Sequence, residues 1–215
     1  MCRFCLPEWM VAVEANKKVM DFRKGQLVFE EGERVEGMFF VLSGIVKVHK
    51  KWGDDKELIV RIAGKGDIVG HRGIGADTVY PVSGTALEAV SVCYIDLEFF
   101  NSTLRVNQEF LYQLMMFFAA ELKVSERKMR NLAHMSVKGR LAQALITLKD
   151  KFGVNEEGAL NIILSRQDLA SYVGTTYETI FRTISELTEE NILRLDAKAI
   201  SIIDETRLVS LFAEV

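Results

Sequence analysis

The 215-residue sequence contains only three cysteines, two prolines and three histidines, and it has no long uninterrupted apolar run. Cys2, Cys5 and Cys93 are too few and odd in number for a disulfide framework, which fits a reducing compartment. The longest apolar stretch, Leu111 to Leu122, is interrupted by Gln113 and Glu121 and falls short of the roughly 20 residues a membrane span needs. Met1-Cys2-Arg3-Phe4-Cys5 lacks the basic stretch and apolar core of a secretory signal, so a cytoplasmic protein with no membrane partner is expected. His49, His71 and His134 lie in three separate segments without paired ligand spacing, and neither a phosphate-cradling glycine loop nor a nucleophile motif is present. Enzyme activity is therefore not expected, a metal-dependent barrel enzyme being the alternative.

Excess positive charge is missing as well. The net charge is −3, and from Val137 to Val215 nine Lys or Arg face twelve Asp or Glu. Bulk electrostatics alone would not hold such a chain on a polyanion. The basic residues are clustered, however: Lys123, Arg127, Lys128, Arg130, Lys138 and Arg140 have only Glu126 among them. That cluster reads as a solvated helix face or a phosphate-facing stripe.

Three stretches differ in the period of their apolar residues. From Lys24 to about Asp96, short apolar runs alternate with glycine: Leu27–Phe29, Met38–Leu42, Gly44–Val48, Leu58–Ile62, Ile68–Val69 and Val90–Ile95. Such spacing predicts antiparallel strands in a β-barrel or sandwich. From Leu97 to about Met135 glycine and proline vanish and one long helix is expected. Leu111, Met115, Phe118, Leu122, Ser125, Met129 and Leu132 recur there at alternating steps of four and three. An a/d seam of this length packs lengthwise against another helix, and a homodimer coiled coil is expected, with burial against the chain's own barrel as the alternative.

The third stretch opens with a helix over Val137–Phe152, followed by a polar loop and short strand from Gly153 to Ile163. Ser165-Arg166-Gln167-Asp168 then reads as an N-cap with an acid at the third helical position. That helix stops at Gly174, and Thr175 or Thr176 caps a second one from Tyr177 to about Asn191, buried through Ile180, Ile184 and Leu187. Small Ala170 four residues before the turn glycine, and Ile180 six after it, give the spacing of a helix-turn-helix. Glu178 and Arg182, four apart in the early turns, share the face that reaches base edges in such motifs. Arginine donates twice to guanine and glutamate accepts from cytosine, whereas the bland alternative is an exposed ion pair. Ile192–Leu195 and Ala199–Ile203, flanking Asp196-Ala197-Lys198, complete a two-stranded wing. A helix-turn-helix that docks on protein is the remaining alternative.

In this order, barrel, long helix and winged helix-turn-helix, the chain resembles the family of the cyclic AMP receptor protein and the fumarate and nitrate reduction regulator (CRP/FNR). The resemblance runs through Gly25, Gly32 and Phe40-Val41-Leu42-Ser43-Gly44 in the barrel, and Asn131-Leu132-Ala133 to Gly139-Arg140-Leu141-Ala142 at the hinge. It continues through Ser165–Ala170 and Glu178-Thr179-Ile180-Phe181-Arg182. It implies an α+β chain divided into a cyclic-nucleotide-binding-type jelly roll over 1–100, a dimerisation helix and hinge over 101–136, and a DNA-binding domain over 137–215. It further implies a transcription regulator that binds a palindromic operator as a homodimer and works with RNA polymerase. Tyr177, Glu178 and Arg182 then contact bases, and Arg166, Gln167, Thr176, Thr179 and Lys198 touch phosphates. The seam of Leu111, Met115, Phe118, Leu122, Met129 and Leu132 would dimerise.

The effector departs from the family's pattern. Gly70-His71-Arg72-Gly73 stands where cyclic-nucleotide binders carry Gly-Glu-x-(Gly or Ala), and Tyr80-Pro81 stands where they carry Arg-Ser. A phosphate needs a fixed cation and donors, and Pro81 supplies neither, so tight cyclic AMP binding is not expected. The resemblance places an effector pocket at Gly70, His71, Arg72, Tyr80 and Ser125. Cys93 falls where the oxygen-sensing branch carries a cluster ligand, with Cys2 and Cys5 as a Cys-x-x-Cys. A four-iron cluster takes four thiolates, so an iron–sulfur cluster would need a non-cysteine fourth ligand and is not favoured.

Overall fold

A computed structural model describes residues 4–53 and 56–213. The chain forms two compact units, 1–125 and 126–215, and the division falls within the long helix. Among the described residues no helix is long and apolar enough to cross a membrane.

In the first unit a 3₁₀ turn (Pro7–Trp9) and helix α1 (Met10–Asn16) precede eight strands: β1 (Lys18–Phe22), β2 (Leu27–Phe29), β3 (Gly37–Ser43), β4 (Val46–Trp52), β5 (Lys56–Ala63), β6 (Ile68–Val69), β7 (Ser83–Ala86) and β8 (Val90–Asp96). They form two antiparallel sheets, in the orders β1-β8-β3-β6 and β2-β7-β4-β5. One core joins them, with Phe29, Met38, Val41, Val46, Val48, Val69, Ala86 and Val92 all buried. Strand periodicity explains why β3 serves two layers. Phe39 stacks on Phe29 and meets Tyr94, whereas Phe40 turns to Phe100 of the helical layer. Gly44 makes the sharp turn from β3 to β4 at φ +80, where a Cβ would lie 2.3 Å from the Ala89 carbonyl oxygen. Only glycine fits there.

The barrel agrees with the sequence pattern, but β1 and β7 appear in addition to the expected strands. The expected single helix from Leu97 is also broken. Helix α2 (Leu97–Val106) and helix α3 (Gln108–His134) meet at Asn107. Its buried amide accepts from the Leu6 backbone N–H (2.7 Å) and donates to the Thr103 carbonyl (2.9 Å), which holds φ and ψ outside the helical region. Trp9 of the N-terminal segment bonds Thr103 through its indole N–H (3.1 Å) and stacks on Phe99. An amide engaged by the N-terminal strap thus replaces helix continuity.

The second unit holds the rest of α3, then α4 (Val137–Phe152), α5 (Arg166–Val173), α6 (Tyr177–Glu189), β9 (Leu193–Asp196), β10 (Ala199–Ile202) and α7 (Glu205–Ser210). Leu141, Leu145, Leu169, Ile180, Ile184, Leu187, Leu193 and Leu208 are almost fully enclosed. The strand expected between Gly153 and Ile163 is reduced to isolated bridges, Val154 with Leu160 and Ala159 with Ser201. β9 and β10 pair antiparallel across Ala197-Lys198 as a wing.

Candidate functional site

The helix-turn-helix is assembled by its caps. Ser165 caps α5 by accepting from the Asp168 backbone N–H (3.0 Å), and its hydroxyl donates to the Asp168 carboxylate. Gly174 ends α5 in the left-handed region at φ +76, and Thr176 caps α6 by accepting from the Thr179 N–H. Ala170 is fully buried, as close approach of the two helices requires. Arg140 of α4 then fixes the turn, donating to the carbonyls of Val173 (3.0 Å), Gly174 (3.1 Å) and Met135 (2.7 Å). Those carbonyls would otherwise be unpaired at a helix end.

This use of Arg140 changes the meaning of the basic cluster. Arg140 is spent on the turn, Lys138 is bound to Glu190 (2.6 Å) and Lys128 lies over the Tyr172 ring at 4.5 Å. A continuous phosphate stripe from Lys123 to Arg140 is therefore not what these residues form.

On α6 the two faces are cleanly separated. Ile180, Ile184 and Leu187 are buried, while Tyr177, Glu178, Phe181 and Arg182 are exposed. Glu178 has no hydrogen-bond or ion-pair partner among the described residues. Arg182 leans toward Glu186 at a loose 3.9 Å rather than toward Glu178. The exposed ion pair considered from sequence is thus not formed, and both side chains remain available. Arg166 is half-buried at the start of α5 with its Nη1 enclosed and unbonded. Gln167, Thr176 and Lys198 are exposed, and Thr179 is half-buried with its hydroxyl 3.1 Å from that of Thr176. Phe181 is a further outward residue on this face, and the only sequence signal for it is its position off the Ile180–Ile184–Leu187 stripe.

Along α3, Leu111, Met115, Leu122, Met129 and Leu132 are exposed, Leu122 and Met129 by 60% and 62%. Phe118 instead packs partly against the barrel core and the edge of the His71 ring. Ser125 is half-buried.

The residues expected at an effector pocket fall into two groups. Gly70 and Tyr80 pack together: a Cβ on Gly70 would lie 3.3 Å from the Tyr80 ring, and Tyr80 donates its hydroxyl to the Gly37 carbonyl (3.0 Å). Phe29, Phe39 and Tyr80 fill this end of the barrel interior with stacked or tilted rings. His71 and Arg72 join a polar cluster that the sequence reading did not foresee. Glu121 of α3 is held by Arg72 (3.1 Å) and Arg61 (3.5 Å), and Arg61 also binds Asp67 (2.8 Å) and the Ile68 carbonyl (2.6 Å). Ser125 lies one turn beyond Glu121. His71, 2% exposed, meets Phe117 and Phe118 edge-on.

Burial pushes the His71 imidazole from 6.5 down to about 3, and the positive charges of Arg61 and Arg72 push the same way. The unfolded chain takes up a proton below pH 6.5 that the folded barrel refuses. Stability is therefore complete above pH 6.5 and is lost as the pH falls toward 3. Between pH 7 and 5 the wild type is expected to lose about 2 kcal/mol through this group, and His71→Leu to lose that much less. Denaturant unfolding of the two proteins at both pH values measures it; equal losses would refute it.

Among the described residues no group of three or more His, Cys, Asp or Glu side chains could hold a metal ion. Cys93 is buried in β8 and Cys5 is half-buried; Cys2 lies outside the described residues.

Residues 19–107 match the family model of the cyclic nucleotide-binding domain, and residues 139–211 match that of the Crp-like helix-turn-helix domain. A CRP-like cAMP-activated global transcriptional regulator of Mycobacterium tuberculosis is 28% identical over 204 residues, covering 94% of this chain and 91% of the relative. The anaerobic regulatory protein of Bacillus subtilis is 27% identical over 194 residues, covering 89% and 80%. In fold, the chain is similar to FixK2 from Bradyrhizobium japonicum, with a TM-score of 0.83 at 24% identity over 93% of this chain and 98% of that one.

Proposed function

The chain belongs to the CRP/FNR family of DNA-binding transcription regulators, and we propose that it binds a palindromic operator as a homodimer in the cytoplasm. The observation that carries this reading is the free face of α6, where unpartnered Glu178 and loosely held Arg182 stand side by side behind a rigid cap and turn. Glu178 accepts from cytosine N4 and Arg182 donates to guanine O6 and N7, with Tyr177 at the outer edge of the half-site. Arg166, Gln167, Thr176, Thr179 and Lys198 position the helix on phosphates without specifying sequence.

Dimerisation belongs to the exposed seam of α3, supported by five large apolar side chains that the single chain leaves in water. Helix and hinge, 101–136, then link sensor and reader, and RNA polymerase is the downstream partner. The effector enters near Gly70, His71, Arg72, Tyr80 and Ser125. Cyclic AMP does not fit this reading. Tyr80 spends its hydroxyl on Gly37, Pro81 has no donor, and the nearby guanidiniums are already engaged by Glu121 and Asp67.

Selection of bound duplexes from a random pool, with protein purified in air and anaerobically, tests the reading. Enrichment of an inverted repeat with half-sites about one helical turn apart is expected. No enrichment under either condition would reject it.

A further inference from the structure

One feature of α6 is unexplained by hydrogen-bonding readout. Phe181 is 57% exposed on a helix whose large aliphatic residues, Ile180, Ile184 and Leu187, are buried. Tyr177, one turn earlier on the same face, is 45% exposed. The pair stands beside Glu178 and Arg182, so the face combines two aromatic rings with two unspent charged groups. Water is a poor environment for such rings, and departures from helical amphipathicity concentrate at functional surfaces.

From this juxtaposition we propose that Phe181, flanked by the ring of Tyr177, reads a thymine in each half-site by packing against its 5-methyl group. The inference rests on the DNA-binding reading above and deepens it. A phenyl ring has no hydrogen-bonding group, so it gains nothing from the donor and acceptor edges that fill most of the major groove. The thymine methyl is the apolar group the unmodified groove displays. Residues on the first two turns of a recognition helix reach base edges, and Phe181 is the fifth residue of α6, between Glu178 and Arg182. Its ring is therefore continuous with the base-contacting groups rather than set apart on another surface. The Phe181 carbonyl already accepts from the Ser185 hydroxyl (3.1 Å), and the ring is the part left free. Specificity of this kind is positional: a methyl next to the ring gains contact, whereas an unmethylated pyrimidine leaves the ring against water.

The test uses the full-length protein and the operator recovered by selection, with each symmetric pair of thymines replaced in turn by deoxyuridine. Burying one methyl is worth about fourfold in affinity, so two half-sites give a loss of about tenfold or more. At one thymine pair the wild type is expected to show that loss, and Phe181→Ser to show none while binding the thymine operator about as weakly as the wild type binds the uracil one. Because Phe181 is on the surface, the variant keeps its fold, which circular dichroism and an unchanged melting temperature verify. Tight wild-type binding that is indifferent to every uracil would overturn this inference alone. Failure of the wild type to bind any duplex would overturn the DNA reading, and the inference with it.

Discussion

Leu122→Glu is expected to turn the dimer into a monomer that no longer holds a palindromic operator. Leu122 lies at the middle of the a/d seam and is 60% exposed in the single chain, so nothing within one protomer pays its hydration back. Pairing two such helices buries both copies, each worth roughly 1.5–3 kcal/mol when fully enclosed. A glutamate at the same place removes that gain twice and sets two like charges across a dry seam, where desolvation adds several kcal/mol. The seam positions on either side of it, Phe118 and Ser125, offer no compensating cation. Sedimentation reads the mass directly, and duplex binding should fall to that of an isolated half-site. Because the residue is exposed, the monomer keeps its helical signal. An unchanged dimer would assign the seam to other packing.

Arg182→Ala has the second large effect, and its character matters more than its size. A bidentate contact to guanine is worth about 1–3 kcal/mol, or roughly 5- to 150-fold in affinity. That loss is expected on the selected operator and not on random duplexes, and discrimination should relax at one base pair of each half-site. Arg182 makes only a 3.9 Å contact to Glu186, so its removal disturbs little within α6. Equal loss on operator and random DNA would mean that the guanidinium neutralises phosphate instead.

Much of the helix-turn-helix is legible in the sequence because it is built from local rules. Ser165 and Thr176 as caps, Gly174 as the left-handed stop, and the Ile180–Ile184–Leu187 stripe each act within a few residues. The barrel strands were visible for the same reason, through short apolar runs closed by glycine. What escaped was set by contacts between distant segments. Asn107 reads as an ordinary helical residue, and only the fold brings the Leu6 N–H onto its side-chain Oδ1. The β1 strand is mostly exposed and β7 consists of Ser83-Gly84-Thr85-Ala86, so neither carries an apolar run. Arg61 and Glu121 come from a strand and a helix far apart in the chain, and no spacing rule links them.

Arg140 was read as one of a row of surface cations, whereas three carbonyls at the helix-turn-helix bend claim it. Phe181 carries no hydrogen-bonding group that would mark it as a base reader, although its outward position follows from the helical period alone. The two corrections work in opposite directions. Fewer cations are free for phosphate than their count suggests, and more of the α6 surface is apolar than a charged pair suggests. On the DNA-binding reading proposed above, packing and a small number of base contacts are therefore expected to carry more of the binding than bulk charge does, in keeping with an overall charge of −3.

The central claim, that the free face of α6 reads half-sites within a dimer, is tested most directly by comparing affinities for three duplexes: the selected palindrome, the same duplex with one half-site scrambled, and a fully random one. The palindrome should bind about 10³-fold or more tightly than the random duplex, with the single half-site far closer to random, and all three should weaken as salt rises. Equal binding of palindrome and random duplex at every salt concentration would contradict it.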